Sequence, residues 1–375
     1  LDWPLKANYT RLDGIIAGQQ ITPMFNAHQH SIVPVDQVLD ISSYVDKNGY
    51  LSWDAPEGNW TIVRFGYTPV GIQNHPSPDG GGGLECDKYS SKAYDFHFDH
   101  FFGKLYNQLE NLGKAGLSGA IIDSYEVGMQ TWTPDLPIEF SNRRGYSMVK
   151  YMPALVGYIV GDPTISDKFL WDVRRTHADL MADNYYGRFA ELCRQHNMKS
   201  YVEPYSGGPF DEIQVGAKVD VPMGEFWAGM DQANGVFYSI KLASSIAHVY
   251  GKKIVAAESY TGIPSQTKWQ LHPYAMKGQG DWMYTLGLNK FIFHVYAMQP
   301  HPTAKPGMTM GPWGWMHSRN NTWADQEKYW IEYVQRTQSL LQEGLIIADI
   351  LYFVGEEVPV NTPVLPEQLF PKPPE

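Results

Sequence analysis

The 375-residue chain carries 29 Lys and Arg against 40 Asp and Glu, a formal net charge of −11. That balance argues against nucleic acid or an anionic membrane as partner, since both demand clustered cations, and it suits a neutral ligand or a bound cation. With 43% hydrophobic and 18% charged residues the chain is not disordered, and no apolar run approaches the ~20 residues of a membrane span.

The start, Leu1-Asp2-Trp3-Pro4, has neither an initiator Met nor a signal peptide. The expectation is a processed or excised piece of a longer protein. Residues 1–84 read as a β-rich lobe: Tyr50–Asp54 and Trp60–Tyr67 alternate apolar and polar residues around Ala55-Pro56-Glu57-Gly58-Asn59, the pattern of a hairpin. His28 and His30 have metal-type spacing but no third ligand nearby, so a loop pair of histidines is expected. Gly80–Gly83 lack the Gly-Lys-Ser/Thr ending of a phosphate loop. They read instead as a flexible loop that delivers Glu85, Asp87 and Lys88 to the rim of a pocket. Cys86 and Cys193 fit no metal spacing and read as buried free thiols.

From residue 85 the pattern changes to strands alternating with helices. Phe98, Phe102, Leu105, Leu109 and Leu112 recur at helical spacing. Gly119–Asp123 follows as a short apolar run bounded by Gly and polar residues, which is how a strand covered on both faces reads. A long helix is expected over 168–196, with Asp172, Arg174, Arg175 and Asp179 as a salt-bridged face. Further strands are expected at 199–203, 220–225, 253–258 and 290–296, separated by helices at 236–250 and 274–286 and followed by one at 322–342. This alternation predicts an α/β fold, a (β/α)8 TIM-like barrel over 85–344, of which five strands are visible in the pattern. Residues 345–375 read as a strand opening a further domain, then a Pro-rich stretch.

Several of these strands end in acids. Asp123 and Glu126, Glu203, Glu225 and Glu258 all fall at carboxyl ends, where parallel sheets and barrels place their catalytic groups. Aromatic residues lie within two positions of each Glu. Apolar neighbours and clustered negative charge both raise a carboxyl pKa, so one member can stay protonated near neutrality while another is ionised. Glycoside hydrolysis needs that combination. With 12 Trp and 24 Tyr in the chain, flat rings that stack on sugars are in supply. Glu203, Tyr125, Trp132, Trp227, Tyr260, His294 and Trp313 are the expected carbohydrate-binding residues. An excess of acids also suits Ca2+, whose ligands would come from separate strands.

The ordered motifs Gly83-Leu84-Glu85-Cys86-Asp87-Lys88, Asp123-Ser124-Tyr125-Glu126-Val127-Gly128, Arg143-Arg144-Gly145-Tyr146, Phe169-Leu170-Trp171-Asp172, Pro222-Met223-Gly224-Glu225-Phe226-Trp227 and Met308-Thr309-Met310-Gly311-Pro312-Trp313-Gly314 together resemble the catalytic region of glycoside hydrolase family 106, the α-L-rhamnosidases. The resemblance implies an inverting hydrolase with a (β/α)8 catalytic domain, an active-site calcium and three important glutamates. By position these are Glu126 as acid, Glu258 as base, with the two roles exchangeable, and Glu225 for substrate or calcium; Asp123 is a second candidate calcium ligand. It also implies a longer parent with flanking β-domains, acting on plant polysaccharides or glycosides from the periplasm or outside the cell. Two alternatives stay open: a retaining barrel glycosidase with Glu225 or Glu258 as nucleophile, and a carbohydrate-binding barrel fragment without catalysis.

Overall fold

The computed structural model describes residues 32–111, 116–205, 207–229, 236–304, 307–309 and 311–355. His28 and His30 lie outside them.

The organising element is a curled parallel sheet. Strands β2 (Gly119–Ile122), β4 (Lys199–Val202), β5 (Val221–Trp227), β6 (Ala256–Thr261) and β7 (Lys290–Phe293) lie side by side in that order. A two-stranded parallel ribbon pairs β1 (Ile32–Val33) with β3 (Ile159–Val160) apart from it. The five strands expected from the apolar runs are therefore present, with ends shifted by up to about three residues. What differs is closure: among the described residues the sheet is a five-stranded half-barrel rather than a closed (β/α)8 ring. Apolar runs locate strands one at a time, whereas closure depends on edge pairing between distant segments, which no local pattern encodes.

Helices cover the sheet because each carries an apolar stripe that must be buried. The first helical run joins α1 (Ser91–Phe98), a widened turn at Asp99–Gly103 and α2 (Lys104–Asn111), and its Phe98 is buried at 1% exposure. Next come α3 (Leu136–Arg144) and α4 (Pro163–Leu180), the latter started by Asp162 Oδ1 accepting from the Ile165 N–H at 2.8 Å. A second widened turn, Met181–Gly187, leads to α5 (Arg188–Gln195), and α6 (Glu212–Lys218) and α7 (Val236–Val249) follow. The set ends with the short α8 (Pro264–Thr267), α9 (Pro273–Thr285) and α10 (Glu327–Leu341). None of the helices among the described residues is long and apolar enough to cross a membrane.

The salt-bridged face expected on α4 forms. Arg175 spans Asp179 at 3.1 Å and Asp211 at 3.2 Å, Arg144 also pairs with Asp179, and the Tyr146 hydroxyl donates to Asp172 at 2.7 Å. Both cysteines are free, Cys193 buried and Cys86 partly so, and burial pushes the Cys193 thiol up to about 12. One close approach matters for the site. Gly224 of β5 lies against the backbone of α7, where a Cβ would come within 2.7 Å of Ser239 and Ile240 main-chain atoms. With no side chain there, α7 packs directly on the strand that carries Glu225.

The β-rich reading of the first lobe needs correction over its described part. The hairpin expected between Tyr50–Asp54 and Trp60–Tyr67 forms no ladder; isolated bridges Val45–Leu51 and Gln73–Leu84 are found instead. Local bonds compete with the ladder here. The Trp60 indole donates to Pro56 O at 2.8 Å and its ring meets Trp53 edge-on at 5.4 Å. Side chains of this segment line a cavity of about 1720 Å³ that also touches Trp132, Met148, Leu170 and His177. Beyond α10, the strand expected from residue 348 pairs with no other strand among the described residues, which end at 355, and Leu351 and Phe353 are exposed at 82% and 85%.

His177 generates a test of the packing. It is 1% exposed and stacked on Tyr89 at 5.1 Å, and burial, reinforced by the Arg174 charge, pushes its pKa from 6.5 down to about 3. Below pH ~6.5 the unfolded chain takes up a proton that the folded chain refuses, so stability falls as pH drops through the window from 6.5 towards 3. At about pH 4.5 the penalty is roughly 2–3 kcal/mol. Urea melts of wild type and His177→Phe at about pH 7 and about pH 4.5 should show a smaller acid loss in the variant by roughly that amount; identical losses would reject this account.

Candidate active site

Four carboxyls converge at the carboxyl end of the sheet. Asp123 and Glu203 follow β2 and β4 directly, while Glu225 and Glu258 sit within β5 and β6 as register partners. Asp123, Glu203 and Glu258 each bring an oxygen to within 4.8 Å of the other two. Asp123 is exposed at the mouth and Glu203 lies at the floor, 1% exposed. Parallel pairing puts equivalent strand positions side by side, which is why residues far apart in the chain meet here.

The hydroxyl of Tyr205 joins two of the acids, lying 2.8 Å from Glu203 Oε2 and 3.0 Å from Glu225 Oε2. A phenol has one hydrogen, so it donates to one carboxyl and accepts from the other, which requires a proton on that second carboxyl. Glu258 accepts from Thr261 Oγ1 and lies 3.3 Å from His294 Nδ1, a charge contact without hydrogen-bond alignment. Trp227, two positions on in β5, and the Tyr205 hydroxyl pull the Glu225 pKa down against its burial. The Glu225 backbone is held as well: its N–H donates to Ser239 Oγ, and that hydroxyl donates back to its carbonyl, both at 2.9 Å.

No lysine or arginine among the described residues comes within 4 Å of any of these four acids. Their pKa values respond as elementary electrostatics requires. Burial first, and then the charges of Asp123 and the other acids, push Glu203 well above the ordinary carboxyl range. Burial and the neighbouring Glu258 raise Glu225 from 4.5 to about 8. Glu258 is raised by burial, against which His294 and the Thr261 hydroxyl pull it down. Burial and like charge thus oppose ionising both members of the Glu225–Glu258 pair at once, and Glu225 is the one raised to about 8. Glu203 Oε1 is buried without a hydrogen-bond partner.

The remaining expected residues are distributed unevenly. Glu126, on the loop three residues past Asp123, has a side chain 63% exposed; Ser124 Oγ donates to it at 3.0 Å and His75 Nε2 stands 4.0 Å away. It is not part of the tight cluster. His294 is, through Glu258. Trp227 stands two positions from Glu225 in β5 and meets Trp313 edge-on at 6.0 Å, and Trp313 is 45% exposed. Trp132 stacks on Tyr67 at 6.3 Å beside the large cavity. Tyr125 and Tyr260, expected to touch sugar, are buried at 7% and 1%. The Tyr260 ring is enclosed by Phe226, Phe291, Trp315 and Trp330 and its hydroxyl bonds Met276 O at 3.2 Å, so it packs the core beneath the site. Tyr125 packs edge-on against Phe210. Of the expected rim charges, Lys88 is 3% exposed and paired with Glu85, and Asp87 accepts from Thr133 Oγ1 at 2.7 Å and from Gln130, tying this segment to the loop after β2.

Three contributors escaped the sequence reading: Tyr205, Thr261 and Ser239. Tyr205 had a visible signal, since it stands two positions from Glu203 at a strand end and so faces the same way. Ser239 had none, because its partner is a backbone 14 residues away.

The sequence profile of glycoside hydrolase family 106, described as alpha-L-rhamnosidase, matches residues 2–375. A curated protein of Formosa agariphila named "Putative beta-glucuronidase" is 43% identical over 337 residues, 90% of this chain and 28% of its own length. The solved structure of a rhamnosidase from Novosphingobium sp. PP1Y superposes with a TM-score of 0.76 at 32% identity, covering 86% of this chain and 32% of that one. The chain thus spans about a third of the length of either relative. Because the profile runs along nearly every residue, the chain belongs to glycoside hydrolase family 106, the alpha-L-rhamnosidase family.

Proposed function

We propose that this chain carries the catalytic centre of a hydrolase that removes terminal α-L-rhamnosyl groups with inversion at the anomeric carbon. The observation that carries the reading is the cluster of strand-end carboxyls, with Asp123, Glu203 and Glu258 within 4.8 Å of one another and Glu225 the register partner of Glu258, where burial and like charge push Glu225 up to about 8.

Inversion needs an acid and a base on opposite faces of the sugar, roughly 6.5–9.5 Å apart. Glu225 and Glu258 lie side by side as register partners on adjacent strands, not on opposite faces of a bound sugar, and so are not assigned as that pair. Glu258, charged and supported by Thr261 and His294, is suited to be the base. Glu126, outside the cluster on the β2 loop, is suited to be the acid. In this scheme Glu258 takes a proton from water as its oxygen attacks the anomeric carbon. The bond to the glycosidic oxygen breaks as Glu126 protonates it, and the alcohol departs. Glu225 stays neutral and, with Tyr205 and Trp227, keeps Glu258 in place.

The donor set fits the implied calcium. Asp123, Glu203 and Glu258 are hard oxygen donors gathered within 4.8 Å, and the unpartnered Glu203 Oε1 is an atom that a cation would satisfy. These three residues would hold the ion, with Glu225 beside them rather than among them. When bound it would neutralise part of the acidic cluster and orient sugar hydroxyls.

The relative named for β-glucuronide chemistry raises a second substrate class. A uronate would meet four acids with no lysine or arginine among the described residues paired to them, whereas rhamnose brings no charge, so the electrostatics favour the neutral sugar.

Proton NMR of an aryl α-L-rhamnoside digest should show the β-anomer of rhamnose first; α-anomer at early times would refute inversion, and turnover of aryl β-glucuronide alone would overturn the substrate. Glu126→Gln and Glu258→Gln should each lower kcat by roughly 10²–10⁴. Glu225→Gln resembles the protonated side chain and should cost no more than about tenfold; equal losses in all three would defeat the role assignment. Chelation should lower both activity and melting temperature, with calcium restoring both in wild type but not in Glu203→Gln. Indifference of wild type to chelator and to calcium in both readouts would remove the metal from the scheme.

A further inference from the structure

Trp313 is a large apolar side chain left 45% exposed, and the backbone beneath it is tightly held. Gly314 has φ +95°, and a Cβ there would lie 2.9 Å from Val295 N and 2.8 Å from its side chain, so only glycine lets the turn approach so closely. The Gly314 N–H donates to Gly262 O at 2.7 Å, and the Trp315 N–H donates to His294 O at 3.3 Å. Trp315 itself is buried, stacked on His317 at 4.7 Å. The exposed indole is thus presented from a turn fastened to the loops after β6 and β7, not from a loose loop.

Its position relative to the acids follows from two chains of contact. Trp313 meets Trp227 edge-on at 6.0 Å, and Trp227 stands two positions from Glu225 in β5. On the other side, Gly314 abuts Val295, the residue after His294, which stands 3.3 Å from Glu258. The exposed ring therefore stands against Trp227, two positions from Glu225 in β5, on a turn whose next residue packs on Val295 beside His294. Core packing does not account for it, since nearly half its surface faces solvent. A flat, rigid, amphipathic face is what a pyranose or aryl ring stacks on.

We infer that Trp313 is the platform of a subsite for the leaving group, one that selects substrates in which rhamnose is joined to a second ring over those with a small alkyl aglycone. This rests on the rhamnosidase reading above. A rhamnosyl disaccharide gains the stacking contact; methyl α-L-rhamnoside, whose leaving group is methanol, does not.

Kinetics on those two substrates test it. Trp313→Ala should raise KM for the disaccharide by about tenfold while leaving kcat/KM for the methyl glycoside within about twofold, and Trp313→Phe, which keeps a ring, should recover most of the disaccharide affinity. Parallel losses on both substrates, or an unchanged disaccharide KM, would overturn the subsite. Should wild type turn over neither compound, the rhamnosidase reading fails on its own. The subsite is then decided by calorimetry with both compounds on wild type and Trp313→Ala: tighter binding of the disaccharide that the variant loses upholds it, and equal binding refutes it.

Discussion

The constraint on which the site depends is the concentration of acidic groups at one end of a sheet, with no lysine or arginine among the described residues paired to them. Asp123, Glu203, Glu225 and Glu258 cannot all be ionised at such short range in a partly dry environment. The cluster must share protons, bind a cation, or both. Much of the surrounding structure serves that need: the Tyr205 hydroxyl between Glu203 and Glu225, the Thr261 hydroxyl and His294 beside Glu258, and Trp227 beside Glu225. None of these partners is a full-time positive charge. The charge therefore remains available to a cation or to a developing positive centre on a sugar.

Rigidity beneath the acids comes from packing. Gly224 lets α7 touch β5 backbone to backbone, and Ser239 then closes a two-bond clasp on Glu225. Under β6 and β7 the rings of Phe226, Tyr260, Phe291, Phe293, Trp315 and Trp330 form one continuous cluster. The aromatic wealth of the chain is accordingly divided. One part of it makes this stiff floor, while Trp227 stands beside Glu225 in β5 with Trp313 edge-on against it. Loops that hold functional groups on such a scaffold can vary while the strand ends stay in place.

The region before β2 is organised differently. Its described residues are joined to the sheet domain by the Glu85–Tyr89 segment, where Asp87 and the Lys88 N–H bond to Gln130 and Lys88 is buried with Glu85. This brings the lobe against the loop that carries Glu126. His75, from the same lobe, stands 4.0 Å from Glu126, so the surroundings of that residue are set by both parts of the chain.

Taken alone, the sequence determined the strands and the acids. Short apolar runs ending in carboxylates are unambiguous when helices separate them, because a strand buried on both faces has no polar positions to vary; β2, β4, β5, β6 and β7 were legible for that reason. The ordered motifs likewise carried the family. Tertiary structure alone decided which acids touch, since spacing along the chain says nothing about neighbours across a parallel sheet: Glu225 and Glu258 meet as register partners, while Glu126, nearer in sequence to Asp123, stands apart. It also decided that Tyr260 faces the core and Trp313 the solvent, a choice between two equally aromatic residues that depends on strand orientation and on one tight turn. The absent hairpin near Trp60 has the same cause: alternation promises a strand, but a strand forms only where a partner edge waits for it.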